Sequence, residues 1–97
     1  MSNIIFHPDI FDEVKNSYDW YQNQASGLGD DFLLELEEAY QIIMELPNTW
    51  PKFQKDFRRF LLNKFPFSVI YKLNGGTIFI VAIMHNSRKP GYWKERT

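Results

Sequence analysis

The tripeptide Asn74-Gly75-Gly76 separates two runs of β-branched and aromatic residues, Phe67 to Leu73 and Thr77 to Met84, and this junction constrains the chain more than any other. It supplies the positive-φ residues that a tight hairpin requires, so the two runs are expected to be antiparallel neighbours. A two-residue loop, whether Asn74-Gly75 or Gly75-Gly76, pairs residues whose numbers sum to an odd value, and paired residues share a sheet face. One face then carries Phe67, Val69, Tyr71, Ile78, Ile80, Ala82 and Met84. The other carries Ser68, Ile70, Lys72, Thr77, Phe79, Val81, Ile83 and His85. The uniformly apolar first face should receive helices. The second, with a Ser, a Lys and a terminal His, is expected to be the exposed working face.

Upstream the period changes. Asn3 to Phe6 is a short β-prone stretch closed by His7-Pro8, with Pro8 placed for the first turn of a helix because its missing N–H would lack a partner there. Ile10, Val14, Tyr18 and Tyr21 follow at spacings of four, four and three, one helical face ending near Gln24. Gly27-Leu28-Gly29 breaks that pattern. A second helix is predicted from near Asp30, with Phe32, Leu36, Tyr40 and Ile43 on its apolar face, stopping before Pro47. The helix carboxylates complement these stripes and read as a solvated face. Pro47 to Lys55 reads as a surface connection, and Phe57 to Leu62 as a further strand. The order strand-helix-helix-strand-strand-strand predicts an α+β fold in one domain, residues 1–97, with two antiparallel helices packed on a mainly antiparallel curved sheet.

The charges divide along the same line. Residues 1 to 49 hold ten carboxylates against one cation, Lys15, whereas residues 50 to 97 hold ten cations against Asp56 and Glu95, so local charges of −9 and +8 lie within a formal total of −1. Local potential steers encounter more than net charge does, so the basic half is expected to attract phosphates or an acidic, apolar partner segment. The chain has no cysteine, which excludes disulfides and thiolate metal sites, and His7 and His85 lack the further ligands that a metal needs. No cofactor is expected. MSNIIFHP is not built like a secretory signal, and Ile78 to Met84, the longest strongly apolar run, falls far short of the roughly 18 residues that cross a bilayer. A soluble cytoplasmic protein without membrane partners is expected.

Candidate chemistry lies in the basic half, above all in the tail MHNSRKPGYWKER. Cleavage of RNA through its own 2′-hydroxyl needs a base, cations on the phosphate and a proton for the leaving oxygen. Histidine serves either proton transfer near neutrality, arginine grips phosphate in a fork, and an aromatic ring stacks on an unpaired base. His85, Arg88 and Tyr92 form the catalytic candidates, joined by Arg59 if Leu62 pairs with Phe67. Arg58, Lys72, Trp93, Lys94 and Arg96 are candidates for partner binding. Tyr92 and Trp93 read equally as a lid on the core. The tail after Ser87 is expected to carry activity more than stability, as chain ends contribute little packing.

Several elements together resemble the RelE/ParE superfamily of toxins from type II toxin–antitoxin (plasmid stabilisation) modules: Trp20-Tyr21, Gly27-Leu28-Gly29 to Phe32, Arg58-Arg59-Phe60, Phe65-Pro66-Phe67, Ile70-Tyr71, and His85 followed by Arg88 and Pro90. The resemblance implies a compact, growth-inhibiting bacterial toxin held inactive by a small cognate antitoxin. Its implied target is DNA gyrase, as for ParE-like members, or messenger RNA on the ribosome, as for RelE-like members; a non-toxic antitoxin-binding or autoregulatory member is the third alternative. The FPFSVIYKL strand and the His85, Arg88, Pro90 tail are closer to the ParE-like branch. The near-neutral total charge also argues against a ribosome-bound nuclease, because phosphate binding depends on accumulated cations.

Overall fold

The computed structural model describes residues 3–96; Met1, Ser2 and Thr97 of the expected domain lie outside the described residues. The elements are β1 (Asn3–Phe6), α1 (Ile10–Gln24), α2 (Leu28–Glu45), β2 (Lys52–Gln54), β3 (Phe57–Leu61), β4 (Phe67–Asn74), β5 (Thr77–His85) and a 3₁₀ turn at Lys94–Arg96. The strands form a sheet in the order β1-β5-β4-β3-β2, with β1 parallel to β5 and every other pair antiparallel. The α+β arrangement expected from the sequence is the one observed. One strand was not expected. Lys52–Gln54 lies within the stretch read as a connection, but a tight turn at Lys55 (φ 50°) and Asp56 folds it back onto β3.

The helices begin slightly differently from expectation. Pro8 sits in the turn before α1 rather than in its first turn, and the Ile10 N–H donates to the His7 carbonyl at 3.0 Å. Helix α2 starts at Leu28, two residues early, because Gly27 takes the left-handed bend (φ 87°) and so frees Gly29 to be helical. Gly29 is needed there for a steric reason. A Cβ at this position would lie 2.6 Å from Gln22 Cγ and 2.7 Å from the Tyr18 carbonyl oxygen, so the close approach of the two helices depends on its absence.

The hairpin closes as the sequence requires, until one residue changes it. Asn74 pairs with Thr77 across Gly75-Gly76, and Leu73–Ile78, Lys72–Phe79 and Tyr71–Ile80 follow in register. Ile70 then pairs with Ala82, which leaves Val81 as an extra residue in a β-bulge. Side chains alternate with period two, so one inserted residue exchanges the faces of everything beyond it. Ile83 and His85 therefore turn to the helix side, while Ala82 and Met84 turn away from it.

Two cores result. On the helix side Tyr21, Phe32, Phe65 and Phe67 form a ring cluster with centroids 4.9–5.4 Å apart in four of its pairs, continued by Leu36, Ile43, Val69, Tyr71 and Ile80. On the other side Phe57, Ile70, Val81, Ala82, Met84 and Trp93 are buried together, with Phe53, Phe79 and Tyr92 packed against them. The second face is thus not the exposed working face expected; the chain's own C-terminal segment covers it. Trp93 is 0 % exposed and stacks on Phe53 at 5.9 Å, so of the two readings of this residue the lid on the core is the one observed.

The edge of β5 beyond β1 is closed by side chains. The His7 N–H reaches the Ile80 carbonyl, after which the Glu13 carboxylate accepts the Ile83 N–H at 3.0 Å and Arg96 Nη1 donates to the carbonyl of bulged Val81 at 2.9 Å. Glu13 and Arg96 are themselves 2.8 Å apart and each about 15 % exposed. Glu13 is accordingly not part of a solvated face. Glu35 stays partly exposed and accepts the backbone N–H groups of Asn63 and Lys64 in the β3–β4 turn.

Two stability measurements test this account. Trp93→Ala should cost about 3–5 kcal/mol in denaturant unfolding, as for other large aromatic truncations in cores, and a chain ending at Ser87 should lose cooperative unfolding near room temperature. Retention of the full melting temperature by the truncated chain would show that the tail is not structural. Gly29→Ala should destabilise by about 1–3 kcal/mol through overpacking despite the higher helix propensity of alanine. Gly76→Ala, where an added Cβ meets nothing within 4 Å, should stay within about 0.5 kcal/mol of the parent and serves as its control.

Candidate functional site

Between α1 and the bulged end of β5 lies a cleft of about 670 Å³ lined by Glu13, Asn16, Ser17, Trp20 and Tyr21 from α1, and by Pro66, Phe67, Ile83, His85 and Arg88 from the strand ends. Its floor is apolar because Phe67 and Ile83 belong to the helix-side core. Its rim is not. Trp20 is 58 % exposed and held edge-on to Tyr21 at 5.1 Å, so a large indole faces solvent beside a cationic arginine and an imidazole. Such an apolar cleft with a few polar groups at its mouth is the usual form of a binding site.

His85 packs edge-on to Phe67 at 5.0 Å, and its Nδ1 accepts the Ser87 N–H at 3.1 Å with the Ser87 hydroxyl at 2.7 Å. An accepting Nδ1 places the proton of the neutral ring on Nε2. Across the sheet, Arg59 Nε donates to Ser68 Oγ at 2.9 Å and Nη2 to Asn86 Oδ1 at 3.3 Å, while the guanidinium lies 4.6 Å from the Phe53 ring centre. Leu62 does pair with Phe67, its N–H donating to the Phe67 carbonyl, which was the condition for Arg59 to join His85. The bulge nevertheless sends the two to opposite faces, because Arg59 shares its face with Ile70 and Ser68 and His85 no longer does.

The remaining candidates fall into three places. Arg88 lies 3.6 Å and Arg96 5.0 Å over the Tyr92 ring, so these three come together at the tail. The Tyr92 hydroxyl is buried with no hydrogen-bond partner, and burial, with a further push from the Glu13 carboxylate, raises its pKa above the ordinary phenol value. It is a poor proton shuttle. Arg58 donates to the carbonyls of Trp50 at 2.6 Å and Asn48 at 3.3 Å, and Lys72 reaches over the Phe57 ring at 5.7 Å. Lys94 is exposed, whereas Trp93 is buried and Arg96 is engaged with Glu13 and Asp9, so these last two offer a partner little surface. Sequence reasoning passed over Trp20 as a cleft residue, although it stands off the Ile10–Val14–Tyr18–Tyr21 stripe and so had to face outward. Nothing local signalled Asn86 or Glu13.

The comparisons with known proteins agree with this architecture. The sequence profile of the family described as the ParE toxin of type II toxin–antitoxin systems, parDE, matches residues 4–90. Among solved structures, a chain titled "Chromosomal ParDE TA system from P. aeruginosa" superposes with a TM-score of 0.76 over 88 % of this chain and 96 % of that chain; at 17 % identity the likeness is one of fold. No curated protein matches the sequence. With the profile spanning both helices and all five strands, the chain belongs to the ParE toxin family of type II toxin–antitoxin systems.

Proposed function

We propose that this chain is a growth-inhibiting toxin of the bacterial cytoplasm, neutralised by a cognate antitoxin and acting by ParE-like inhibition of DNA gyrase. The observation that carries the reading is the separation of His85 from Arg59. A ribonuclease of the kind considered above needs its base and its phosphate-gripping cation within reach of one scissile bond, and proton transfer in particular requires hydrogen-bond distance. Here the imidazole belongs to the helix-side cleft and the guanidinium to the other face, tied to Ser68 and Asn86. The other two candidates do not complete the set: the Tyr92 hydroxyl is buried, and Arg88, which lines the cleft with His85, has its guanidinium 3.6 Å over the Tyr92 ring. A molecule so arranged is better suited to holding a target than to cutting one. Trp20, His85 and Arg88 around the cleft supply an aromatic and a cationic anchor of the kind that dominates binding energy at interfaces.

The purified chain should block DNA supercoiling by gyrase while transcripts in a translating extract stay intact, and Trp20→Ala should relieve the block. His85→Ala and Arg59→Ala, which a nuclease would not survive, should leave transcript integrity unchanged. Cleaved transcripts with normal supercoiling would replace this reading with the RelE-like one. A chain that affects neither, and does not arrest growth when expressed alone, is the non-toxic member.

A further inference from the structure

The cleft between α1 and the end of β5 offers a ligand mostly hydrogen-bond donors. Its one carboxylate is already engaged: Glu13 accepts the Ile83 N–H at 3.0 Å with one oxygen and meets Arg96 Nη1 at 2.8 Å with the other. Ser17 is occupied too, its hydroxyl donating to the Glu13 carbonyl at 3.0 Å. What remains at the mouth is the Arg88 guanidinium, the His85 ring and the Trp20 indole, with the Asn16 amide beside them. His85 accepts the Ser87 N–H through Nδ1, which leaves its Nε2–H to give, and an indole nitrogen can only donate. Such a rim calls for an acceptor.

Arg88 gives that acceptor its charge. The guanidinium lies 3.6 Å over the Tyr92 ring, and stacking occupies the face of the ion while leaving its in-plane N–H groups to act as a fork. Among the described residues no carboxylate pairs with it, and the nearby Asp9 and Glu13 are both held by Arg96. The floor sets the rest of the ligand. Phe67 and Ile83 carry no polar side-chain atom, so an aliphatic or aromatic side chain is received there, whereas a nucleobase would bury its polar edge without partners.

We propose that the cleft holds a short peptide segment of the target, in which an apolar side chain enters over Phe67 and Ile83 beside Trp20 while a neighbouring Asp or Glu is gripped by Arg88, with the His85 ring as a second donor. That the segment belongs to gyrase rests on the reading above; its chemistry does not. The acidic, apolar partner expected for the basic half is thereby assigned to one place, since Arg58, Arg59 and Arg96 are engaged within the chain.

The probe is a blocked hexapeptide alternating Leu and Asp, with a Leu/Asn hexapeptide and a thymidylate hexamer beside it, each titrated into the full chain and followed by backbone amide and indole N–H shifts. The Leu/Asp peptide should bind one to one, shift the Trp20 indole and the amides of Ile83, His85 and Arg88, and weaken as salt rises. The Leu/Asn peptide should bind about tenfold more weakly, the loss expected when a hydrogen bond to a charged group becomes a neutral one. Arg88→Gln should abolish that preference and leave Leu/Asn binding as before, at an unchanged melting temperature because the side chain is exposed, and Arg88→Lys, which keeps the charge but not the fork, should restore part of it. Equal binding of the two peptides, shifts centred elsewhere, or a preference for Asp that survives Arg88→Gln would overturn the proposal. So would tighter binding of the thymidylate hexamer in the same cleft, which would assign it to nucleic acid. In a supercoiling assay, excess Leu/Asp peptide should relieve the block by the parent chain, and a block untouched by saturating peptide would equally overturn the proposal. A parent chain that binds the peptide as stated yet leaves supercoiling intact would remove the gyrase reading alone.

Discussion

One extra residue in β5 determines the character of both faces of the sheet. Were the hairpin regular to its end, Ala82 and Met84 would face the helices and Ile83 and His85 would face away. The bulge at Val81 exchanges them, so β5 serves the helix-side core with Ile78, Ile80 and Ile83 and the second core with Val81, Ala82 and Met84. A bulge leaves ladder groups unmatched, and β1 ends before it can supply them. Glu13 and Arg96 do so instead, one taking the Ile83 N–H and the other giving to the Val81 carbonyl, while their mutual attraction holds both in place. Each of those backbone groups left unpaired would cost about 1–3 kcal/mol, which is why an ion pair in so sheltered a place is favourable here.

Arg96 also explains why the tail is part of the fold. It joins α1 to the segment that carries Trp93, so the 3₁₀ turn at Lys94–Arg96 is clamped from one side by salt bridges to Asp9 and Glu13 and from the other by the indole in the second core. The fit of the rings themselves is apolar. Trp93 Nε1, the Tyr92 hydroxyl and Gln54 Oε1 are all buried without partners, so the rings are held by contact and burial, and the side-chain hydrogen bond of this segment to β5 comes from Arg96.

The two halves of opposite charge become two layers in space. The two helices hold nine of the twelve acids, while the strands, their turns and the C-terminal segment hold ten of the eleven cations, so the two parts present different potentials to an approaching partner. The chain also has two separate concave surfaces: the cleft of Trp20, His85 and Arg88 at the strand ends, and an apolar groove beside α1 lined by Phe6, Ile10, Phe11, Val14 and Leu33.

The sequence by itself determined the parts whose cause is local. Gly75-Gly76 closes the hairpin, the 3.6-residue spacing of Ile10, Val14 and Tyr21 and of Phe32, Leu36 and Ile43 sets two helices, and alternation along β4 sends Val69 and Tyr71 to the helices and Ile70 to the other face. Arg59, Arg88 and Tyr92 were recognisable as unusual, but not where they would stand relative to His85. The tertiary structure decided that, along with the burial of Trp93 and the roles of Glu13 and Arg96. The reason is physical. A bulge changes parity without changing composition, so nothing in the run Thr77 to Met84 announces it, and β2 is a strand only because β3 offers an edge to pair with. Glu13 finds its partners at Ile83 and Arg96, some seventy and eighty residues along the chain, and a contact of that range is specified by the whole fold rather than by any window of sequence.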